Sequence, residues 1–141
     1  MIVTPATPAY LDGWLALRMA LWGEEEGDPE AVADLLAGGG AFLARDGDRV
    51  IGFAEAAIRR DYVNGCDTSP ILFLEGLCTA PDYRRRGVAR ALVATVAEWG
   101  RAQGCTEFAS DAELDNVQSH AMHHALGFVE TERVVYFRQP L

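Results

Sequence analysis

Thr7-Pro8 reads as a helix N-cap followed by proline at the first helical position. Leu11, Trp14, Leu15, Arg18, Leu21 and Trp22 then recur at helical spacing. Asp28-Pro29 repeats the start signal and opens a short helix carrying Val32, Leu35 and Leu36, which ends in Gly38-Gly39-Gly40. An acidic loop, Gly23-Glu24-Glu25-Glu26-Gly27, separates the two helices. The period then changes. Ala41 to Ala44, a turn at Asp46-Gly47-Asp48 and Val50 to Ile58 predict a hairpin, and Asp61 to Pro70 predicts a loop. Ile71 to Cys78 is a near-continuous apolar run of strand length, suited to a central strand buried on both faces. Gly76 inside it predicts a bulge or a close backbone approach.

Pro81-Asp82-Tyr83 breaks that strand. A helix is expected over Gly87 to Gln103, with Val88, Ala91, Leu92, Thr95, Val96 and Trp99 on one stripe and Gly104 as its cap. A short strand over Thr106 to Ser110, a helix over Asn116 to Leu126 stopped by Gly127, and a β-rich end from Phe128 to Arg138 complete the chain. The order predicts a mixed α/β layer fold with strand–helix–strand crossovers in its second half.

Composition narrows the function. The chain has 141 residues, half of them hydrophobic, and is expected to form one domain over residues 1–141. Its net charge is −9, and all 12 of its basic residues are arginine. A lysine nucleophile, a Schiff base and a lysine-based phosphate loop are therefore excluded. A field this negative disfavours nucleic acid and anionic membranes and favours cationic ligands. Cys66, Cys78 and Cys105 form neither a metal pattern nor a disulfide framework, so no metal is expected. No signal-like start and no run of about 20 apolar residues is seen, which makes the cytoplasm the expected location.

The sharpest local feature is Arg84-Arg85-Arg86-Gly87-Val88-Ala89-Arg90, set between a buried strand and a helix. Main-chain N–H groups at a helix start are unpaired, and with the positive end of the helix dipole they form an anion site. Gly87 and Ala89 are too small to hold an incoming phosphate away. A solvated arginine cluster on an ordinary helix start would give the same run; the strand before it, the proline break and the helix after it favour the anion site.

In this turn the chain resembles the GCN5-related N-acetyltransferases (GNAT). Arg84-x-x-Gly87-x-Ala89 matches their acetyl-CoA motif, and Asn116, Ser119 and Ala125-Leu126-Gly127-Phe128 look like their second marker. The resemblance covers nearly the whole chain. It implies a mixed central β-sheet with a splayed, bulged fourth strand, flanked by helices on both faces. It also implies acetyl-CoA as co-substrate. The backbone of Leu77, Cys78 and Thr79 would bind the pantetheine arm, and an N–H there would polarise the thioester carbonyl. The N–H groups of Arg85, Arg86, Gly87, Val88, Ala89 and Arg90 would hold the pyrophosphate, and Asn116 would line the pantetheine and thiol. Cys78 itself reads as core. Where many relatives carry a tyrosine that protonates the departing thiolate, this chain has His123, which suits either an acid or a packed helix residue.

The acceptor should be an amine. Glu107, Asp111, Glu113, Asp115, Glu130 and Glu132 fall in a stretch without arginine, and Glu24, Glu25, Glu26 and Asp28 cluster in the first loop. The fold would converge most of these on one mouth that attracts a polycation, although Glu107 and Asp12 read as solubilising. Glu75, inside an apolar run, needs a partner, and Asp111 follows a strand end. A closer resemblance lies in Leu21-Trp22, Asp61-Tyr62-Val63-Asn64-Gly65-Cys66, Leu74-Glu75-Gly76, Ser110-Asp111 and Glu130-Thr131-Glu132-Arg133. These are similar to the short aminoglycoside 6'-N-acetyltransferases, which are usually homodimers. By that resemblance Trp22, Tyr62, Glu75, Asp111 and Glu132 would contact the aminoglycoside, and Glu75 or Asp111 would take the amine's proton. Two other functions remain open: acetyl transfer to a polyamine or protein amine, and non-enzymatic acetyl-CoA binding.

Overall fold

The computed structural model describes residues 1–23 and 29–141. The acidic loop expected at Glu24, Glu25, Glu26 and Asp28 therefore lies outside the described residues. Nine elements follow in chain order: β1 (Ile2–Pro5), α1 (Leu11–Trp22), α2 (Pro29–Gly38), β2 (Ala41–Asp46), β3 (Arg49–Arg59), β4 (Ile71–Thr79), α3 (Val88–Ala102), β5 (Phe108–Ser110) and α4 (Val117–Ala125). The strands form one sheet in the order β1-β2-β3-β4-β5, antiparallel except for β4 and β5, which run parallel through the α3 crossover.

Most expected elements are present with small shifts at their ends. Thr7-Pro8 opens a single 3-10 turn, Pro8–Tyr10, that leads into α1, and the Thr7 side chain makes no capping bond. Strand β1 escaped the sequence reading; it is a short edge strand of exposed and half-buried residues. The β-rich end does not form a strand: residues 128–141 carry no helix or strand. Val134-Val135-Tyr136-Phe137 has strand-forming side chains, but among the described residues no strand pairs with it to complete a ladder.

Helices cover both faces. On one, Val88, Leu92 and Val96 of α3 pack on Ile51, Ala54, Leu72 and Leu74, with Leu126 and Phe128 beside them. On the other, Trp14 of α1 and Val32 of α2 pack on Leu43, Val50 and Phe53. Ile71 and Phe73 lie under the 61–66 loop with Val63 and Cys66. Two irregularities shape the sheet. The β2–β3 register slips at Ala44/Arg45, and the β3–β4 register slips at Glu55/Ala56, where Glu55 faces Gly76 and Ala56 faces Leu74. Glu75 is the extra residue of that second bulge, next to the glycine that signalled it. Ladder pairing between β4 and β5 spans only Leu72 to Leu74, so the two parallel strands part beyond that point.

Candidate active site

The β3–β4 bulge and the end of the β4–β5 pairing fall together on β4, between Leu74 and Gly76. Leu77, Cys78 and Thr79 continue β4 past the last β5 pair, held on one side by Ala54, Phe53 and Gly52. Cys78 points at α1, with its thiol 3.9 Å from the Leu17 carbonyl, and burial pushes that thiol's pKa up. A thiol held protonated in packing contacts is no nucleophile.

After β4 the chain passes a 3-10 turn, Pro81–Tyr83, and then adopts two left-handed residues, Arg85 (φ 62°) and Gly87 (φ 81°), before α3 begins at Val88. Alternation of this kind turns successive N–H groups into a concave anion cradle. Space in front of Gly87 is open where a Cβ would stand. Arg86 rests its guanidinium over the Tyr83 ring, whereas Arg90 turns away and donates to the Ala125 carbonyl of α4 at 3.1 Å. The arginine run is thus split: its backbone forms the cradle, and Arg90 ties α3 to α4.

A second group of residues lies on the α1 face of the sheet. Trp22, at the end of α1, lays its ring against Gly76 and tilts against Phe53 with centroids 5.7 Å apart. Glu75 is the one exposed residue of β4, which corrects the expectation that it is buried; the bulge turns it outward, and Arg59 donates to it at 2.9 Å. Beneath lies a sealed pair. Glu55 is 3% exposed, accepts from Trp14 at 2.9 Å and pairs with the buried Arg18, whose guanidinium sits 4.8 Å from the Trp22 ring centroid. Burial pushes the Glu55 carboxyl up, against the pull of Arg18 and Trp14.

Tyr62 is 76% exposed on its loop. Thr131 packs on Gly65 of that same loop, and the next residue, Glu132, is exposed in the C-terminal segment. Asp111 follows Ser110 at the end of β5, and the Ser110 hydroxyl lies 3.4 Å from the Leu74 carbonyl, next to Glu75. His123 is tethered at both nitrogens. Nδ1 is 2.7 Å from the Ser119 carbonyl, and Nε2 is 2.8 Å from the Ser110 hydroxyl. Phe128 packs edge-on against the ring. Asn116 caps α4, its side-chain oxygen accepting from the Ser119 N–H at 3.1 Å.

Two of the acids have partners of their own. Glu107 accepts from the N–H groups of Asp67 and Thr68 and from the Thr68 hydroxyl, which pins the 67–68 loop and holds its carboxyl below the usual range. Glu130 pairs with Arg133. Among the described residues no three His, Cys, Asp or Glu side chains are grouped to hold a metal, and no helix is long and apolar enough to cross a membrane.

A left-handed turn at the start of α3, a short parallel pairing of β4 with β5 and a bulge where β4 pairs with β3 are the features to set beside those of known proteins. The family model described as the Acetyltransferase (GNAT) family matches residues 7–128, and the chain belongs to that family. Within it, the chain is 51% identical over 136 residues to the aminoglycoside N(6')-acetyltransferase type 1 of Serratia marcescens, covering 93% of each chain. The crystal structure of the aminoglycoside 6'-N-acetyltransferase AAC(6')-Ig from Acinetobacter haemolyticus superposes with a TM-score of 0.93 at 48% identity, over 100% of this chain and 99% of that one. AAC(6')-Iy, solved with the bisubstrate analogue CoA-S-monomethyl-acetylneamine, superposes at 0.89 with 42% identity over 99% and 98% of the two chains.

Sequence reasoning missed Arg59 and the Arg18–Glu55 pair. The second had a signal: a cation on an apolar helix stripe and an acid inside an apolar strand are each costly unless they meet.

Proposed function

We propose that the chain, folded as one domain over residues 1–141, transfers acetyl from acetyl-CoA to the 6'-amino group of aminoglycosides in the cytoplasm. The observation that carries this reading is the outward Glu75 on the bulge, next to the Gly76 on which Trp22 packs. A carboxylate next to an aromatic ring suits an ammonium-bearing sugar. The cradle N–H groups from Arg85 to Arg90 fit a pyrophosphate, and the β4 edge at Leu77, Cys78 and Thr79 fits a pantetheine arm laid alongside it, with Asn116 at the far wall. The donor brings an activated thioester. The chain's part is to place the amine about 3–3.5 Å from that carbonyl, which supplies much of the acceleration.

Glu75, Asp111 and Glu132 anchor ammonium groups while Trp22 and Tyr62 cover sugar faces. Glu75 or Asp111 accepts the proton that the amine must lose before it attacks. A main-chain N–H of β4 beyond the bulge stabilises the developing oxyanion. His123, committed to Ser119 and Ser110, holds α4 against β5 and is not required as the acid. For acceptor anchoring, Glu75→Gln and Asp111→Asn should each lower kcat/KM for kanamycin roughly ten- to hundredfold, since a charge-assisted hydrogen bond contributes about 1.5–3 kcal/mol. Acetyl-CoA binding by calorimetry should be unchanged. Wild-type kcat/KM in both variants would refute the acceptor assignment.

The active form in this proposal is a homodimer. Support comes from the C-terminal segment, where Val129, Val135, Tyr136 and Phe137 are exposed together and β5 is the last strand of its sheet. Such apolar exposure is rare on a free monomer. The segment is suited to pair with the sheet of a second copy, carrying Glu132 to the shared boundary. Sedimentation should give a dimer, and a chain shortened after Phe128 should sediment as a monomer.

A further inference from the structure

We propose that Arg59 is an internal competitor for Glu75, a built-in cation that the acceptor's ammonium must displace and that reclaims the carboxylate once the amine has become an amide. The inference rests on the assignment of Glu75 to the acceptor site.

Arg59 is the last residue of β3, and its Cα pairs with Ile71, well back along β4 from Glu75. Its side chain covers the distance by lying along the strand. The guanidinium sits 3.5 Å above the Phe73 ring centroid, and Nη2 donates to Glu75 Oε1 at 2.9 Å. Phe73 and Glu75 follow one another along the α1 face, so Arg59 occupies the strip that leads to the bulge.

The same face holds two ion pairs of opposite character. Arg18 and Glu55 have side chains 5% and 3% exposed, and exchange of partners there would leave a charge stranded in the core. Arg59 and Glu75 are 41% and 38% exposed, and either can turn to water at small cost. The sealed pair fixes the wall; the open pair is replaceable. What Arg59 offers Glu75 is also what an aminosugar offers, a cation on the carboxylate with an apolar surface beside it.

Acetylation makes the two sides of the exchange unequal. An ammonium carries the charge and N–H donors needed to replace the guanidinium. The product amide is neutral and has lost that charge, so the balance at Glu75 returns to Arg59. Arg59 therefore weakens substrate binding modestly and opposes retention of product.

The test is calorimetric titration of CoA-saturated protein with kanamycin. Arg59→Met keeps an aliphatic chain over Phe73 and removes the competing charge. It should tighten kanamycin binding by about two- to fivefold, the span that an exposed ion pair allows. Arg60→Met removes the same net charge from the neighbouring residue and serves as the control; it should change affinity less. In a Glu75→Gln background, Arg59→Met should do no more than Arg60→Met. Weaker binding by Arg59→Met would show that Arg59 orients Glu75, and unchanged binding would show that the two cations do not compete; both overturn the proposal. An equal gain in the Glu75→Gln background would also overturn it, by reducing the effect to general charge. If wild type and Glu75→Gln bind kanamycin alike, the acceptor reading itself has failed and the proposal falls with it.

Discussion

Gly76→Ala probes the junction between strand and substrate wall with a single methyl group. A Cβ at residue 76 would collide with Cη2 and Cζ2 of Trp22, with Cε2 of Phe53 at 3.5 Å behind. Trp22 has little freedom on that side, being held between Phe53 and the Arg18 guanidinium. Over-packing of this kind costs about 1–3 kcal/mol. Replacing glycine by alanine returns about 0.4–1 kcal/mol by restricting the unfolded chain. The net expectation is a loss of about 1–2 kcal/mol in urea unfolding at an unchanged m-value. Trp22 is only half-buried, so the ring relieves the clash by swinging outward. The acceptor KM should then rise several-fold, while acetyl-CoA affinity moves less. Gly38→Ala is the control, because a Cβ there meets nothing and the residue is helical; it should gain about 0.5–1 kcal/mol. A Gly76→Ala protein with wild-type stability and wild-type acceptor KM would refute the contact between Trp22 and the bulge.

Gly87→Glu should abolish acetyl-CoA binding by calorimetry, since it puts a carboxylate in the cradle and a side chain on a left-handed residue. His123→Phe should leave turnover within about tenfold, a change of under 1.4 kcal/mol in the barrier, and a loss of thousands-fold at normal binding would make the imidazole essential. Glu107→Gln should change the acid stability of the protein. The Glu107 carboxyl is held below its ordinary 4.5, chiefly by the Thr68 hydroxyl. A depressed folded pKa adds stability that is present above the unfolded value and lost as pH falls through the folded one. The gap in urea midpoint between wild type and Glu107→Gln should therefore be full at pH 7 and shrink below pH 4.5.

The frame of the molecule was legible because it rests on periodicity. The α3 stripe, the β2–β3 hairpin and the apolar run of β4 are local patterns, and each forms close to where it was expected. The turn into α3 was legible too, since its glycine and helix start are adjacent in sequence. What escaped depends on distance or on a neighbour. Glu75 read as buried because the apolar run around it was taken as covered on both faces; an extra residue in the strand turned it outward. Arg59 gave no signal at all, because its reach along the strand is a property of a long side chain lying on Phe73. At the C-terminal end the residues favour a strand, but a strand also needs another strand beside it. Asn116 and His123 were singled out for what they would do to a cofactor; the structure shows one capping a helix and the other with hydrogen-bond partners at both nitrogens, roles that depend on local helix geometry and on a neighbouring strand.

The cation that lies on Phe73 and reaches Glu75 is a guanidinium, and so is every other side-chain cation of this protein. That has a chemical consequence for a catalyst that hands acyl groups to nitrogen. An arginine stays protonated at any pH at which the protein is folded, and its delocalised nitrogens have no lone pair to offer an acyl donor. A lysine in the same place would share the acceptor's own functional group and, once deprotonated, would compete for acylation beside the donor. In the proposed acceptor site the positive charge beside Glu75 therefore comes in a side-chain form that acylation does not consume, and the sequence offers no lysine amine to compete with the acceptor.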